Sequence, residues 1–316
     1  MRAPVTLAVV SWNTRELLAA CLRSLLPDAE AGRAEVWIVD NGSSDGSVDM
    51  VRERFPWTHL VVAERNLGFG PAVNLVAERT SSLWLAAANA DIEPLPGALK
   101  ALLRAGEADA GVGALAPQLI LPDGSSQHSG YSFPTATAAA AANLRLPKLF
   151  PSLGRRLNAP GHLDTNTARD VDWATGAFLL FRREAFDQAG GFDPAQWMYA
   201  EDIDICWRLR RAGWRTRYEP RAMALHARSA AAKVAFGDQM EIKSVGARYS
   251  WIARRRGVWR AWAVAAVNWT GALLRYAVCT PFVSRGGRWP ERQQEARLGI
   301  RLHRTGLRSR RALLER

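Results

Sequence analysis

Three aspartates stand where chemistry could be done. Asp40 closes an apolar run at residues 35–39, Asp91 follows another at 82–87 through Asn89-Ala90, and Asp202 opens an apolar-periodic segment. A carboxylate at a strand end can accept from a nucleobase N–H or from ribose hydroxyls. In a second loop it can hold Mg²⁺ or Mn²⁺, and at the mouth of a pocket it can act as a general base. Asp202 lies in the stretch 190–214, where the aromatic run Trp197-Met198-Tyr199 precedes Glu201, Asp202 and Asp204, and Arg208, Arg210 and Arg211 precede Gly213. Acids at the front, arginines at the back and a terminal glycine predict a helix whose first turn presents a carboxylate. Taken singly, each acid is as compatible with a turn or cap residue as with a ligand.

Regular elements must aim these groups. Residues 5–10 form a β-branched run that reads as a buried strand, followed by a turn at Ser11-Trp12-Asn13-Thr14 and a helix over 15–26 stopped by Pro27. Further strands are predicted over 35–39, 59–62, 82–87 and 113–116, with helices over 48–55, 72–78 and 94–105. Residues 122–170, with an Ala run and five Pro, are expected to form a mobile excursion carrying one short helix. Strands at 172–181 and 215–218 complete the domain. Strand alternating with helix predicts a mostly parallel sheet, in which ligands lie outside the carboxyl ends of the strands. Ser11, Asp40, Asn66 and Asp91 should therefore line one edge.

A chain of 316 residues suffices for one large or two modest domains. Its three cysteines, Cys21, Cys206 and Cys279, fit no metal spacing and suggest a reducing compartment. The first residues run directly into a strand pattern, so no signal peptide is expected. Gly68-x-Gly70 lacks the rest of a dinucleotide fingerprint, and neither a phosphate-loop lysine motif nor a nucleophile elbow occurs. Residues 251–316 carry 15 Arg, no Lys and 3 Glu, which is the whole net charge of +12. Trp251, Trp259, Trp262 and Trp269 lie in the same tail. Its uncharged stretch 261–274 is shorter than the roughly 20 residues a bilayer crossing needs. A Trp-rich, Arg-flanked helix suits the interface of an anionic membrane, so peripheral association at the cytoplasmic face is expected. The alternative is a helix packed on the domain beneath a solvated basic tail. A nucleic-acid-binding tail would mix Lys with Arg, and no nucleic-acid partner is expected.

Together the motifs carry a resemblance. Val9-Val10-Ser11-Trp12-Asn13, Val39-Asp40-Asn41-Gly42-Ser43-Ser44-Asp45-Gly46-Ser47, Asn66-Leu67-Gly68-Phe69-Gly70 and Asn89-Ala90-Asp91 occur in that order. Thr175-Gly176-Ala177, Gly191-Phe192-Asp193, Glu201-Asp202-Ile203-Asp204 and His226 follow. The chain resembles inverting glycosyltransferases of family 2, in their rhamnosyltransferase-like branch. The resemblance implies an α/β GT-A nucleotide-diphospho-sugar transferase fold over 1–228, with a helical, membrane-associating extension over 229–316.

It also implies roles. Ser11, Asn13, Asp40, Asn66, Gly68, Asn89 and Gly176 would bind a dTDP- or UDP-linked sugar donor, with Asp40 accepting from the pyrimidine N3. Asp91 and His226 would hold Mg²⁺ or Mn²⁺. Asp202 would be the general base, and Trp197, Tyr199 and Glu201 would face a lipid-linked or glycan acceptor. L-Rhamnose is the sugar expected, with galactose, galactofuranose or another hexose as alternatives. One departure is the neutral Asn89 at the first position of the metal motif, which leaves Asp91 as its sole carboxylate. Asp45 is expected to be a turn and cap residue, and Asp204 with Arg208 a helix-surface pair.

Overall fold

The computed structural model describes residues 3–159, 161–162, 165–196, 198–227 and 239–315. The chain divides into two compact units, Met1–Ser132 with Leu163–Gly237, and Phe133–His162 with Asp238–Arg316.

The first unit is built on one sheet. Its strands are β1 (Val5–Ser11), β2 (Ala34–Asp40), β3 (His59–Val62), β4 (Trp84–Asn89), β5 (Ile92–Pro94), β6 (Val112–Ile120) and β7 (Ser126–Gln127). After β8 (Gly130–Tyr131) come β9 (Arg169–Val171), β10 (Trp173–Ala174), β11 (Phe178–Arg182) and β12 (Arg215–His226). The order across the main sheet is β3-β2-β1-β4-β11-β6-β12-β5; β7 pairs with β6 and β9 with β12, while β8 and β10 make a separate ladder. β1 to β4 run parallel, β11 lies antiparallel between β4 and β6, and β12 resumes the parallel direction beside β6. Both faces are apolar, as a helix-covered parallel sheet requires. Val5, Leu7 and Val9 pack in one core cluster with Leu18, Leu22, Leu99 and Leu102. Ala8, Leu85 and Phe181 pack in the other with Val73, Phe186, Phe192 and Leu209.

The helices of this unit are α1 (Arg15–Glu30), α2 (Ser47–Arg54), α3 (Phe69–Ala77) and α4 (Ala98–Glu107). α1 passes the stop expected at Pro27, and its last turn is held by Asp28, which accepts from Arg33 Nε at 2.6 Å. The stretch 133–159 belongs to the second unit and holds three helices where one was expected: α5 (Ala136–Asn143), α6 (Leu146–Leu149) and α7 (Pro151–Arg156). Thr135 Oγ1 accepts from Ala138 N at 3.1 Å, an N-cap that starts the Ala run as helix. Back in the first unit, α8 (Arg183–Gln188) and α9 (Glu201–Arg211) complete the set, and Gly213 follows α9 with φ +93°, a conformation that favours glycine.

The second unit continues with helices Met240–Arg256, Val258–Cys279, Trp289–Arg304 and Arg310–Leu314. Its core holds Trp251, stacked on Phe133 at 5.8 Å, with Ile252, Ala261, Ala265 and Ala272. No helix among the described residues is long and apolar enough to cross a membrane.

Candidate active site

Strand register aligns the expected residues. Ser11 pairs with Asp40, Asp40 with Val62, and Val10 with Asn89, so β1 to β4 end on one level. Beyond that level, Asn13, with φ +51°, accepts from Ser44 N on its side chain and donates its N–H to Ser43 Oγ, locking the first two loops together. Asp45 bridges the same loops: it accepts from Arg15 N at the start of α1 and from Ser47 at the start of α2. Burial opposes its charge, but these donors hold its carboxyl below the usual range. Ser11 is buried with its hydroxyl 3.1 Å from that of Thr14, so its side chain shapes the turn.

Asp40 is 1 % exposed, and its Oδ1 accepts from Ser43 N at 2.8 Å. Its Oδ2 is buried with no hydrogen-bond donor among the described residues. A buried carboxylate oxygen of this kind requires a donor, and an N–H of a bound base would supply one. Asn41, which the sequence reading left without a role, accepts from Leu67 N and donates to Gly68 O. It thereby ties the third loop to the second. Asn66 accepts from Gly68 N at 2.9 Å, and Gly68, at φ +90° and ψ 171°, adopts a conformation reserved for glycine as it opens α3.

Asp91 and His226 are brought together across β5 and β12, where His226 pairs with Ile92 and Ala227 N bonds Asp91 O. Both side chains are buried, with His226 Nε2 3.5 Å from Asp91 Oδ1. The Gln127 amide oxygen accepts from His226 Nδ1–H at 2.7 Å. Nε2 faces a carboxylate oxygen of Asp91, and it has no hydrogen-bond partner among the described residues. An imidazole nitrogen and a carboxylate oxygen aimed at each other can serve as a pair of ligands for a divalent cation. Carboxylate plus imidazole suits Mn²⁺, and with phosphate oxygens also Mg²⁺. The residues present fit the divalent ion implied by the fold, although no group of three protein ligands occurs among the described residues. The remaining positions would fall to substrate oxygens and water.

Asp202 stands in the first turn of α9. Its Oδ2 accepts from Gly176 N at 3.1 Å and its Oδ1 from its neighbour Ile203 N at 2.8 Å. Gly176 itself lies beside the Asn89–Asp91 loop, because Asn89 N bonds Ala177 O. A Cβ at Gly176 would lie 3.1 Å from Asp202 Cβ, so the glycine lets the backbone approach the acid. Burial first, and then the Asp202 charge, push the Glu201 carboxyl well above its ordinary range. Tyr199 adopts φ +73° in the connection leading to α9, and burial followed by the Glu201 charge raises its phenol to about 12. Trp197 lies outside the described residues.

Asp204 departs from the surface pair expected. It is fully buried, its Oδ2 accepts from Arg208 Nε at 2.7 Å, and Arg208 donates to Ala189 O. This pair joins the end of α8 to α9 and has no surface role.

Two residues of the edge, Gln127 and Tyr131, were not singled out from sequence. Gln127 orients His226. Tyr131 stacks on Trp173 at 4.3 Å, and the strand carrying Trp173 leads to Thr175, whose N–H bonds Ser129 O. The Gly191-Phe192-Asp193 motif is structural: Asn74 of α3 bonds both N and O of Phe192. A cavity of about 610 Å³, lined by Leu26, Trp57, His59 and Arg79 among others, lies at the opposite end of β2 and β3, away from these groups.

A mostly parallel central sheet with β11 inserted antiparallel between β4 and β6, carboxylates along the ends of its parallel strands and a carboxylate at the start of a facing helix define a sugar-nucleotide-binding domain of the GT-A type. Solved structures agree on the fold. A mannosyltransferase from Pyrobaculum calidifontis, determined with GDP-Man and Mn²⁺, superposes with a TM-score of 0.58 at 17% identity, covering 97% of this chain and 88% of that one. The profile of "Glycosyltransferase like family 2" matches residues 3–255, and the chain belongs to that family.

An N-acetylglucosaminyl-diphospho-decaprenol L-rhamnosyltransferase of Mycobacterium tuberculosis is 34% identical over 202 residues, which is 60% of this chain and 66% of that protein. The chain thus spans slightly less than two thirds of that relative. The rhamnosyltransferase WbbL of Escherichia coli is 48% identical over 56 residues, 18% of this chain and 21% of its own length.

Proposed function

We propose that this chain is an inverting glycosyltransferase that moves L-rhamnose from dTDP-rhamnose onto a lipid-linked acceptor in cell-envelope glycan synthesis. The observation that carries the chemistry is Asp202, held at the first turn of α9 by the Gly176 N–H on the same edge as Asp40 and Asp91. The rhamnosyl relatives support the choice of sugar, and the diphospho-decaprenol in the name of one of them supports the acceptor class.

In this reading the Asp202 carboxylate, which keeps further lone pairs beside the two backbone donors, takes the proton of an acceptor hydroxyl. The hydroxyl oxygen bonds to the anomeric carbon as the bond to the diphosphate breaks on the opposite face, inverting the centre. Asp40 Oδ2 receives the N3–H of the pyrimidine, and Asn66, Gly68 and Asn89 frame the nucleotide. Asp91 and His226 would hold a divalent ion, whose charge offsets that developing on the diphosphate. Glu201 and Tyr199 orient the acceptor, with the stacked Tyr131–Trp173 pair as an apolar wall beside them. Partner surfaces include an anionic membrane, approached at its cytoplasmic face through residues 239–315.

A thermal-shift screen of dTDP-rhamnose, UDP-galactose, UDP-galactofuranose and GDP-mannose, with and without Mn²⁺, tests the donor. Stabilisation by dTDP-rhamnose above the others is expected, and a UDP-hexose ranking first would overturn the sugar. Asp202→Asn should lower transfer by about 10²–10⁴-fold with donor binding retained, the range general-base catalysis supplies. Near-normal turnover would remove Asp202 from the role.

A further inference from the structure

The helix Val258–Cys279 is buried on one side only. Ala261, Val264, Ala265, Ala272 and Cys279 face the interior of their own unit. At helical spacing on the other side, Trp259, Trp262, Leu274 and Val278 are 63, 42, 63 and 61% exposed. Ala266 and Ala277 continue the same exposed stripe. From 259 to 278 it runs about 29 Å at 1.5 Å per residue. Its polar members are Thr270 and, at the azimuth of Val278, Arg260 at its end, and no acid occurs anywhere between Glu241 and Glu291.

Exposed arginines sit beside aromatic rings at both ends. Arg260 lies 4.5 Å over Trp259, and Trp262 Nε1 donates to the backbone of the exposed Arg308. Past the other end, Arg285 lies 4.8 Å over Phe282 and Arg292 5.5 Å over Trp289.

We infer that this stripe is a monotopic docking face for an anionic bilayer, with the helix lying in the plane of the lipid surface. The inference rests on the membrane partner named above and identifies the face that meets it. An apolar stripe with Trp at one end, cations at both and no acids has the composition of an interfacial helix. The indole rings and the arginine stems suit the headgroup level, with the guanidinium groups reaching lipid phosphates. The same arginines disfavour a second copy of this chain as the occupant, since two such faces would bring like charges together. α5 braces the helix from behind: Asn143 bonds Asn268 and Arg275. The apolar face is thereby fixed outward without rearrangement.

The test is co-sedimentation of the full chain with vesicles of phosphatidylcholine containing 30% phosphatidylglycerol, against vesicles of phosphatidylcholine alone. Wild type should bind the anionic vesicles at least tenfold better. Leu274→Glu and Val278→Glu together should reduce that binding by about tenfold or more, since both apolar side chains are lost from the face. These positions are exposed, so unchanged thermal unfolding checks the fold. Arg260→Glu with Arg292→Glu should remove the preference for anionic lipid. Binding by wild type that the stripe variants retain in full would overturn the face while leaving the membrane partner. No vesicle binding by wild type would overturn both, leaving the sugar reaction untouched. Loss of a dimer in light scattering on the stripe substitutions, without vesicle binding, would reassign the face to a second copy.

Discussion

Replacing Gly176 with Ala should displace the proposed base, Asp202, without removing it. The new methyl would stand 3.1 Å from Asp202 Cβ, 3.7 Å from its Oδ2 and 3.8 Å from its Cγ. Carbon atoms pack at about 3.5–4.0 Å, so the acid must retreat by roughly 0.5 Å. The strand leading to Gly176 is anchored by Thr175 N on Ser129 O, so most of the movement falls on Asp202. A misplacement of about 1 Å can cost 10²-fold, which scales to roughly tenfold, or about 1.4 kcal/mol, for half that shift. The backbone N–H remains to bond the carboxylate, so donor affinity should hold. Overpacking should also lower stability by about 1–3 kcal/mol. The assay is steady-state transfer normalised to folded protein, with the donor-induced thermal shift measured alongside. Gly113→Ala is the control, because its Cβ would meet Trp214 and Ala185 within 3 Å in the core, away from the edge. It should destabilise without lowering turnover per folded molecule. Wild-type turnover in Gly176→Ala, or an equal loss in the control, would refute the positional argument.

Three other outcomes follow from single contacts. Asp204→Ala leaves the partly buried Arg208 without its carboxylate and should cost about 3 kcal/mol in urea unfolding; a loss below about 1 kcal/mol would show that the pair is dispensable. Gln127→Leu frees the His226 ring and should weaken Mn²⁺-dependent binding of a nucleoside diphosphate by about 10–100-fold in calorimetry; unchanged affinity would deny Gln127 its orienting role. His303 accepts from Tyr249 in the second unit, and burial, then Arg275 and Arg248, lower it from 6.5 to about 4. Between those values the unfolded chain binds the proton and the folded one does not. Stability should therefore fall by on the order of 2 kcal/mol as pH drops through that window, after allowance for partial exposure. His303→Gln should flatten the acid limb of a melting-temperature profile, and an unaltered limb would place the sensitivity elsewhere.

The edge of the sheet was legible because each parallel strand ends in an apolar-to-polar switch, and such switches are local. Asp40, Asn89 and Asp91 could be aligned from alternation alone. Gln127 and Tyr131 could not, since β7 and β8 are two residues each and their pairing with β6 and β10 is set by distant chain. Their stretch has no period to read. From sequence the strand ends at 218, ahead of Pro220, whereas the chain makes one strand from Arg215 to His226 with an irregularity between Glu219 and Met223. A bulge accommodates a proline that cannot donate to the ladder. Asp204 was misjudged because an i,i+4 acid–arginine pair looks the same on a surface as in a core. What turns it inward is Ala189 O, an acceptor from another helix end that no local pattern announces.

The three acids of the edge and the one beside them differ most in what already touches them. Asp40 has a buried oxygen with no donor, so it is set to receive one. Asp202 already has backbone N–H groups on both oxygens, which suits a carboxylate and fixes its direction. Glu201, adjacent in sequence, is pushed upward by burial and by Asp202, so the pair is arranged to carry one charge. Carboxylates whose environments push them apart divide acid and base roles. On that argument Glu201 keeps its proton where Asp202 works. Glu201→Gln, which keeps the shape and the neutral form, should therefore retain most transfer near neutral pH. It should also remove a loss of stability that wild type suffers as pH rises above the ordinary carboxylate range, where the unfolded chain releases the Glu201 proton and the folded chain retains it. A Glu201→Gln variant as inactive as Asp202→Asn would mean that Glu201 works as a charged group and that the division is wrong.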